Sequence, residues 1–521
     1  MTEPAAATPQ AQPQINPWLT AIAVMFGTFM VVLDTTVVNV SLSHIAGSLS
    51  ATVEESTWAL TSYIAANAII LPMTAWLSSM LGRRRLLIAS IIGFTCASAL
   101  CGAAQSLPML VVFRIIQGAT GGVMQPLSQA ILLEAFPPHE RGKAMGFWGL
   151  GIVVAPILGP VLGGWLTENY TWRWIFYINI PIGVASVMFT RLWVFDPHYI
   201  RRAAMRVDYL GLSLLAMGAG CLQVMLDKGQ EEDWFGSSFI VLMLILAIVG
   251  LTMFCWRALK SKDPILDLHV LRHRTFAVGT LLMTVLGFVL FGSLVLLPVM
   301  MQTLFGYPAV VAGIALAPRG MGSFVSMPLV GLLTSRVDPR VLVGLGLLMG
   351  GWTLIWLGAI NLNAGYWDFF WPQVIQGFAL GLLFVPLTTI AMADLAPQEI
   401  GNASSLFNLV RNIGSSVGIA AVSTMVTRAR VEHVAALSTY VTPYNPLVEV
   451  YRNQFQNALG GRSVSDAGML AGMAGMVQRQ ASLLAFIDVF RLLGLIFIVA
   501  LPLVFLMRRP KAGAPVAAAV E

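Results

Sequence analysis

The sequence predicts an all-α membrane protein with fourteen transmembrane helices. Three observations carry this. First, 57% of the 521 residues are hydrophobic and 10% are charged, whereas a soluble domain carries roughly 25% charged residues. Second, the apolar residues come in long unbroken runs such as "FIVLMLILAIVGLTMFCW" (Phe239–Trp256). Such runs suit membrane helices and lack the alternation of barrel strands. Third, the chain repeats itself at half its length. "FRIIQGATGGVMQP" (Phe113–Pro126) parallels "PQVIQGFALGLLFVP" (Pro372–Pro386), so that Gln117, Gly118 and Gly122 match Gln376, Gly377 and Gly381 at an offset of 259. Gly142 and Ala144 match Gly401 and Ala403 at the same offset.

The elements follow in order. Residues 1–17 are rich in Ala, Pro and Gln and read as a disordered cytoplasmic tail without a cleavable signal. The fourteen spans are expected near 18–40, 54–77, 86–105, 108–133, 143–166, 172–194, 209–227, 238–257, 276–299, 308–333, 341–360, 372–395, 403–426 and 484–507. With the repeat, they give an N-terminal six-helix bundle (18–195), two inserted helices (209–257) and a C-terminal six-helix bundle (276–507). The last contains a long periplasmic segment, 427–483, and a cytoplasmic tail follows at 508–521. Most of the thirty Lys and Arg residues fall in loops after even-numbered helices, including Arg83, Arg84, Arg85, Arg141 and Lys143. Positive charge marks the cytoplasmic side, so both termini are expected there.

Other function classes fit poorly. The net charge of +6 is spread over short loops, unlike the concentrated face of a nucleic-acid binder. Cys96, Cys101, Cys221 and Cys255 lie in apolar runs without metal or redox spacing. The six histidines are scattered, so no catalytic or metal site is expected. The absence of a GxxxxGK[ST] motif argues against ATP drive.

One stretch stands apart. "GIVVAPILGPVLGGW" (Gly151–Trp165) holds four glycines and two prolines in the fifth span. In water these residues oppose a helix; in lipid, small residues let helix backbones approach. Gly151, Gly159, Gly163 and Gly164 form its small surface, and Pro156 and Pro160 soften it. The expected partner is the tenth span, through "AGIALAPRGMGS" (Ala312–Ser323).

Taken with "LDTTVVNVSLSHIA" (Leu33–Ala46), "RIIQGATGG" (Arg114–Gly122), "WRWIFYINIPIG" (Trp172–Gly183) and "LDKGQEEDWF" (Leu226–Phe235), this stretch resembles the fourteen-helix drug:proton antiporters of the major facilitator superfamily, in their EmrB-type branch. The loop "AWLSSMLGRRR" departs from the family pattern, with Ser79 in place of Asp and Ala75 in place of Gly. The resemblance implies a major facilitator fold and proton-coupled export of small lipophilic compounds across the bacterial inner membrane. It implies a hinge role for the helix-5 motif. It also implies a periplasmic membrane-fusion adaptor and an outer-membrane channel as partners, with the proton as coupling ion and no cofactor. The alternative is proton-driven export of one endogenous metabolite, fatty acid or siderophore.

Intramembrane charges are the candidate site residues. Asp34 and Arg114 each lie about 9 Å below the outer surface, counting 1.5 Å per residue from the span ends, and are expected to pair or to share a cavity for proton coupling. Arg319 and Arg411 lie nearer mid-helix. Three roles are open to them: lining the cavity, tying helices together, or stabilising one state. Asn39, Gln117, Gln376 and Asn408 complete the candidate substrate cavity. Gln373 stands where Arg114 stands in the first half, which points to the first half for the proton chemistry. Asp488 is expected to pair with Arg491, and Glu134, Glu140 and Asp394 to be solvated loop charges. Val448–Leu459 and Gly468–Phe486 carry apolar residues at helical spacing with polar faces, expected either to fold onto the protein's own outer rim or to dock the periplasmic adaptor.

Overall fold

A computed structural model describes residues 16–196, 208–261, 264–334, 336–442, 445–446, 448–450 and 466–508. Among them there are helices and turns but no strand. The crossings are α1 (Pro17–Ser48), α2 (Trp58–Leu81), α3 (Arg83–Gly102), α4 (Leu107–Ala135), α5 (Arg141–Asn169), α6 (Trp174–Trp193), α7 (Tyr209–Lys228) and α8 (Ser238–Lys260). They continue as α9 (Arg274–Leu304), the split α10 (Ala309–Ile314 and Ala317–Leu333), α11 (Pro339–Leu357), α12 (Tyr366–Ala391), α13 (Ile400–Ser438) and α14 (Asp466–Phe505). Thirteen are each long and apolar enough to cross a membrane.

The tenth was expected as one helix and is two pieces. Pro318 stands in the first turn of the second piece. It has no N–H to give the carbonyl of Ile314, so the chain turns at Ala315–Leu316 before resuming. Pro72 similarly sits in a 3-10 turn inside α2.

Two groups of helices pack around their own centres. In one, α1 lies against α4, α5 and α6, and α4 against α2 and α3. In the other, α9 lies against α13 and α14, and α12 against α10 and α11. The pair α7 and α8 packs on itself and touches the first group through α2. On α8, Leu242, Ile245, Ile248 and Trp256 are exposed, a surface suited to lipid.

The face that carries the start of α1 and the end of α14 is heavily tied. Arg83 pairs with Glu134, at side-chain exposures of 4% and 11%. Glu134 is thus no solvated loop charge: the fold brings the start of α3 against the end of α4, which spacing along the chain does not reveal. Glu140 pairs with Lys143 at 3.0 Å, and Asp394 accepts a 3.2 Å bond from Thr275. The Arg84 N–H donates to Asp196 Oδ1 at 2.9 Å. Between them Gly82 has φ +84 and leaves no room for a Cβ beside the Asp196 carboxylate. Ser79 turns its hydroxyl back to the Trp76 carbonyl at 2.7 Å.

The Gly/Pro stretch lies wholly inside a continuous helix, α5. This helix does lie against α10, as expected, but the glycines of the stretch face α1. A Cβ at Gly159 would overlap Thr36, one at Gly163 would press on Val37, and one at Gly151 would press on Met25, all on α1. Gly164 is buried and Pro156 half-buried; the Pro160 side chain lies outside the described residues. The α10 contact is made instead by Gly142, Gly146 and Gly149, against Gly331 and Met327. At 3.6 residues per turn, Gly146 and Gly159 point roughly 140° apart around the helix axis. One helix therefore presents two glycine faces to two partners.

The segment 427–483 also differs from expectation. Its first twelve residues continue α13, and Asp466 onward already belongs to α14. "GMLAGMAGMVQRQASLLAF" is helical, as its spacing predicts, and forms the first half of α14. Residues 451–459 of the expected Val448–Leu459 helix lie outside the described residues. Asp488 does not pair with Arg491. Its Oδ2 meets His433 Nε2 of α13 at 2.7 Å, a partner that only the alignment of the two long helices supplies.

Leu at Gly159 is expected to force α1 and α5 apart and to lower stability by about 1–3 kcal/mol. The matched control is Gly47→Leu, where nothing lies within 4 Å of the new Cβ. Thermal midpoints of the two purified variants check this; equal midpoints would refute the α1 contact.

Candidate functional site

The site grows out of α1. Asp34 falls on the side of that helix facing α4 and α6, inside an apolar shell of Leu33, Val37, Leu110, Trp172, Ile175 and Phe176. A carboxylate buried there is costly unless protein donors meet it. Arg114 of α4 supplies the charge: its Nη1 donates to Asp34 Oδ2 at 2.5 Å, and both side chains are fully buried. Gln117, one turn on, donates from Nε2 to Asp34 Oδ1 at 2.9 Å and accepts from Arg114 Nη1 at 2.8 Å. Asn179 of α6 donates to the same Oδ1 at 2.9 Å.

A second set of contacts fixes these partners. Asn179 Nδ2 also donates to Ser98 Oγ of α3 at 3.0 Å, and Ser98 donates to the Phe176 carbonyl at 2.9 Å. Arg114 Nε donates to the Ala59 carbonyl of α2 at 2.9 Å. The guanidinium carbon lies 4.1 Å from the centre of the Tyr63 ring, a cation–π distance that stabilises a desolvated charge. Five helices, α1, α2, α3, α4 and α6, thus meet at one carboxylate. The arrangement does two things chemically: it holds a carboxylate out of water, and it gives that carboxylate a single cation on which its charge depends.

The remaining candidates are distributed differently. Arg319 of α10 donates from Nε to Gln373 Oε1 at 2.8 Å and from Nη2 to Gln376 Oε1 at 2.7 Å. Asn408 and Arg411, one turn apart on α13, reach across to α4: Asn408 Nδ2 to Gln129 Oε1 at 2.6 Å, and Arg411 Nη2 to Gln125 Oε1 at 2.7 Å. They tie the two helix groups together near the face that carries the start of α1 and the end of α14. Asn39 is exposed and joins no cluster. A cavity of about 540 Å³ lies elsewhere, between the far ends of α9, α13 and α14, among Val299, Leu304, Val426, Arg430, Arg479 and Phe486.

Sequence reasoning missed Asn179, Ser98 and Tyr63. Asn179 carried a signal, being the one amide in the apolar run "IFYINIPIG". Ser98 and Tyr63 carried none, since hydroxyls recur throughout the spans.

Truncating Asn179 to Ala is expected to leave Asp34 Oδ1 and Ser98 short of a donor and to cost roughly 1–3 kcal/mol. Adding Ser98→Ala should then cost less than it does alone, because the two share a chain of bonds. Unfolding midpoints of the four-member mutant cycle test this; strict additivity would count against the coupling.

The model of the Major Facilitator Superfamily matches residues 24–419. The multidrug export protein EmrB of Escherichia coli (strain K12) is 39% identical over 492 residues, covering 94% of this chain and 95% of the relative. The fatty acid resistance protein FarB of Neisseria gonorrhoeae is 38% identical over 498 residues, covering 95% and 96%. Among solved structures, the human organic anion transporter MFSD10 (TETRAN) has the same fold, with a TM-score of 0.58 at 14% identity over 93% of this chain and 100% of that one. Sequence and fold thus agree: the chain belongs to the Major Facilitator Superfamily, as a multi-pass membrane transporter among the EmrB-type multidrug exporters.

Proposed function

We propose that the chain is a proton-coupled antiporter. It expels hydrophobic or amphiphilic compounds across the bacterial inner membrane, with both termini cytoplasmic. The observation that carries this reading is the fully buried Asp34–Arg114 pair, held by Gln117 and Asn179. Protonation of Asp34 removes the charge on which Arg114 depends. The pair then loses most of its attraction while its hydrogen-bonding geometry changes from acceptor to donor. Helices α1, α4 and α6 are all anchored there, so a proton alters the relative stability of two packings of the first bundle. That difference in affinity between states is what coupling requires.

The rest of the cycle uses the two halves, residues 18–195 and 276–507, as bodies that rock about a midplane site. The α5–α10 glycine contact and the Asn408–Gln129 and Arg411–Gln125 bonds close one side and must open when the other closes. The α1–α5 glycine face keeps the helix-5 motif attached to the carboxylate helix through that motion. At roughly 150 mV, one charge entering supplies about 3.5 kcal/mol, enough to sustain a gradient of roughly 400-fold for a neutral substrate.

Asp34→Asn is expected to abolish transport driven by a pH gradient in proteoliposomes while ligand binding persists. Because it strands Arg114, a folded state is confirmed first by thermal midpoint. Uphill export with a pH-dependent rate in the folded Asn variant would remove Asp34 from the coupling role.

A periplasmic adaptor and an outer-membrane channel complete the proposed system. The support is the length of α13 and α14, at 39 and 40 residues, against about 20 needed to span. Deleting Val448–Leu459 is expected to leave proteoliposome transport intact and to weaken capture of the cognate adaptor. Unchanged capture would exclude the segment from docking.

A further inference from the structure

The second half contains a buried cation whose counter-ion is missing. Arg319 is 3% exposed. Its Nε and Nη2 have good bonds to Gln373 and Gln376. Its Nη1 reaches only Ser293 Oγ, at 3.5 Å, a length at which little bonding remains. No carboxylate among the described residues pairs with it. A buried unpaired guanidinium is costly.

The repeat shows where the counter-ion would have been. The offset of 259 that carries Gln117 onto Gln376 and Arg114 onto Gln373 also carries Asp34 onto Ser293. The two sites are built alike. In the first half, the α1 residue meets the α4 glutamine and a guanidinium Nη1; in the second, the α9 residue meets the α12 glutamine and a guanidinium Nη1. Arg114 finds a carboxylate at 2.5 Å and Arg319 a neutral hydroxyl at 3.5 Å. Gln373 Nε2 is buried beside Arg319 with no partner, so the cluster has a second donor without an acceptor.

We propose that Arg319, Gln373, Gln376 and Ser293 form an anion subsite that takes the carboxylate head of an acidic amphiphile carried by the transporter. The ligand supplies in the second half what Asp34 supplies in the first. The inference rests on the export reading, since it treats the amphiphile as cargo. It also assigns separate tasks to the halves: one carboxylate is resident and takes the proton, and the other arrives with each substrate.

The test is binding of dodecanoate to the purified full chain in neutral-lipid nanodiscs at about pH 8, where the carboxylate is ionised, with dodecanol as the matched neutral tail. Dodecanoate is expected to bind at least tenfold more tightly than dodecanol, about 1.4 kcal/mol. In Arg319→Gln that preference should fall below twofold. Ser293→Asp is the sharper variant, because it restores an internal counter-ion: its thermal midpoint should equal or exceed that of the parent, and its head-group preference should be lost. A folded Ser293→Asp protein that keeps the tenfold preference overturns the proposal. So does a tenfold loss of dodecanoate affinity when chloride replaces gluconate in the buffer, which would make a small inorganic anion the occupant. Efflux of a cationic dye by the parent protein in proteoliposomes is scored separately. Its failure would remove the export reading while leaving the head-group preference measured on its own.

Discussion

A fully buried carboxylate is the constraint on which the first half of this protein is built. In a lipid-immersed bundle there is no solvent to complete the coordination of Asp34, so its partners must come from other helices. They do: Arg114 and Gln117 from α4, Asn179 from α6, and behind them Ser98 from α3 and the Ala59 carbonyl from α2. The apolar shell around them is a packing unit separate from the main core. The consequence is mutual dependence. Arg114 has Asp34 as its counter-ion, and Asp34 is held by three donors. Any event that changes the charge at this point is felt by five helices.

The two halves meet this constraint differently, although their backbones descend from one pattern. Gln117 and Gln376 occupy matching places, and each serves a guanidinium. The cation, however, comes from α4 in one half and from α10 in the other. A repeat that keeps its glutamines and relocates its arginine has kept the hydrogen-bonding frame and changed what the frame holds. The cross-group bonds of Asn408 and Arg411 to Gln129 and Gln125 follow the same economy of neutral acceptors. Amide–guanidinium bonds join and separate without leaving a second bare charge in the membrane.

Much of this was legible in the sequence, for physical reasons. Helix number and order follow from apolar runs, because only closed hydrogen bonding survives in lipid. Depth put Asp34 and Arg114 at one level, where they could pair or share a cavity; the direct pair is what the structure adds. What was not legible depended on azimuth. Small residues in α5 were read correctly as a contact surface, but Gly159 and Gly163 face α1, whereas Gly146 faces α10; which side a residue occupies depends on how neighbours rotate. The same gap hid the Arg83–Glu134 pair and placed Asp488 with His433 rather than Arg491. Asn179 was visible as a polar residue in an apolar run, yet nothing in the chain said which carboxylate it would serve.

The extra length of α13 has a mechanical meaning. It is one uninterrupted helix of 39 residues, about 58 Å from end to end. It is gripped near one end by α4 through Asn408 and Arg411 and runs alongside α14 at the other. A stiff rod held at its base is a pointer. From Arg411 to Ser438 is about 40 Å, so a tilt of only 5° at the grip sweeps the tip through roughly 3.5 Å. Anything resting on the tips of these two rods would therefore register a tilt at the α4 grip without touching the Asp34 cluster.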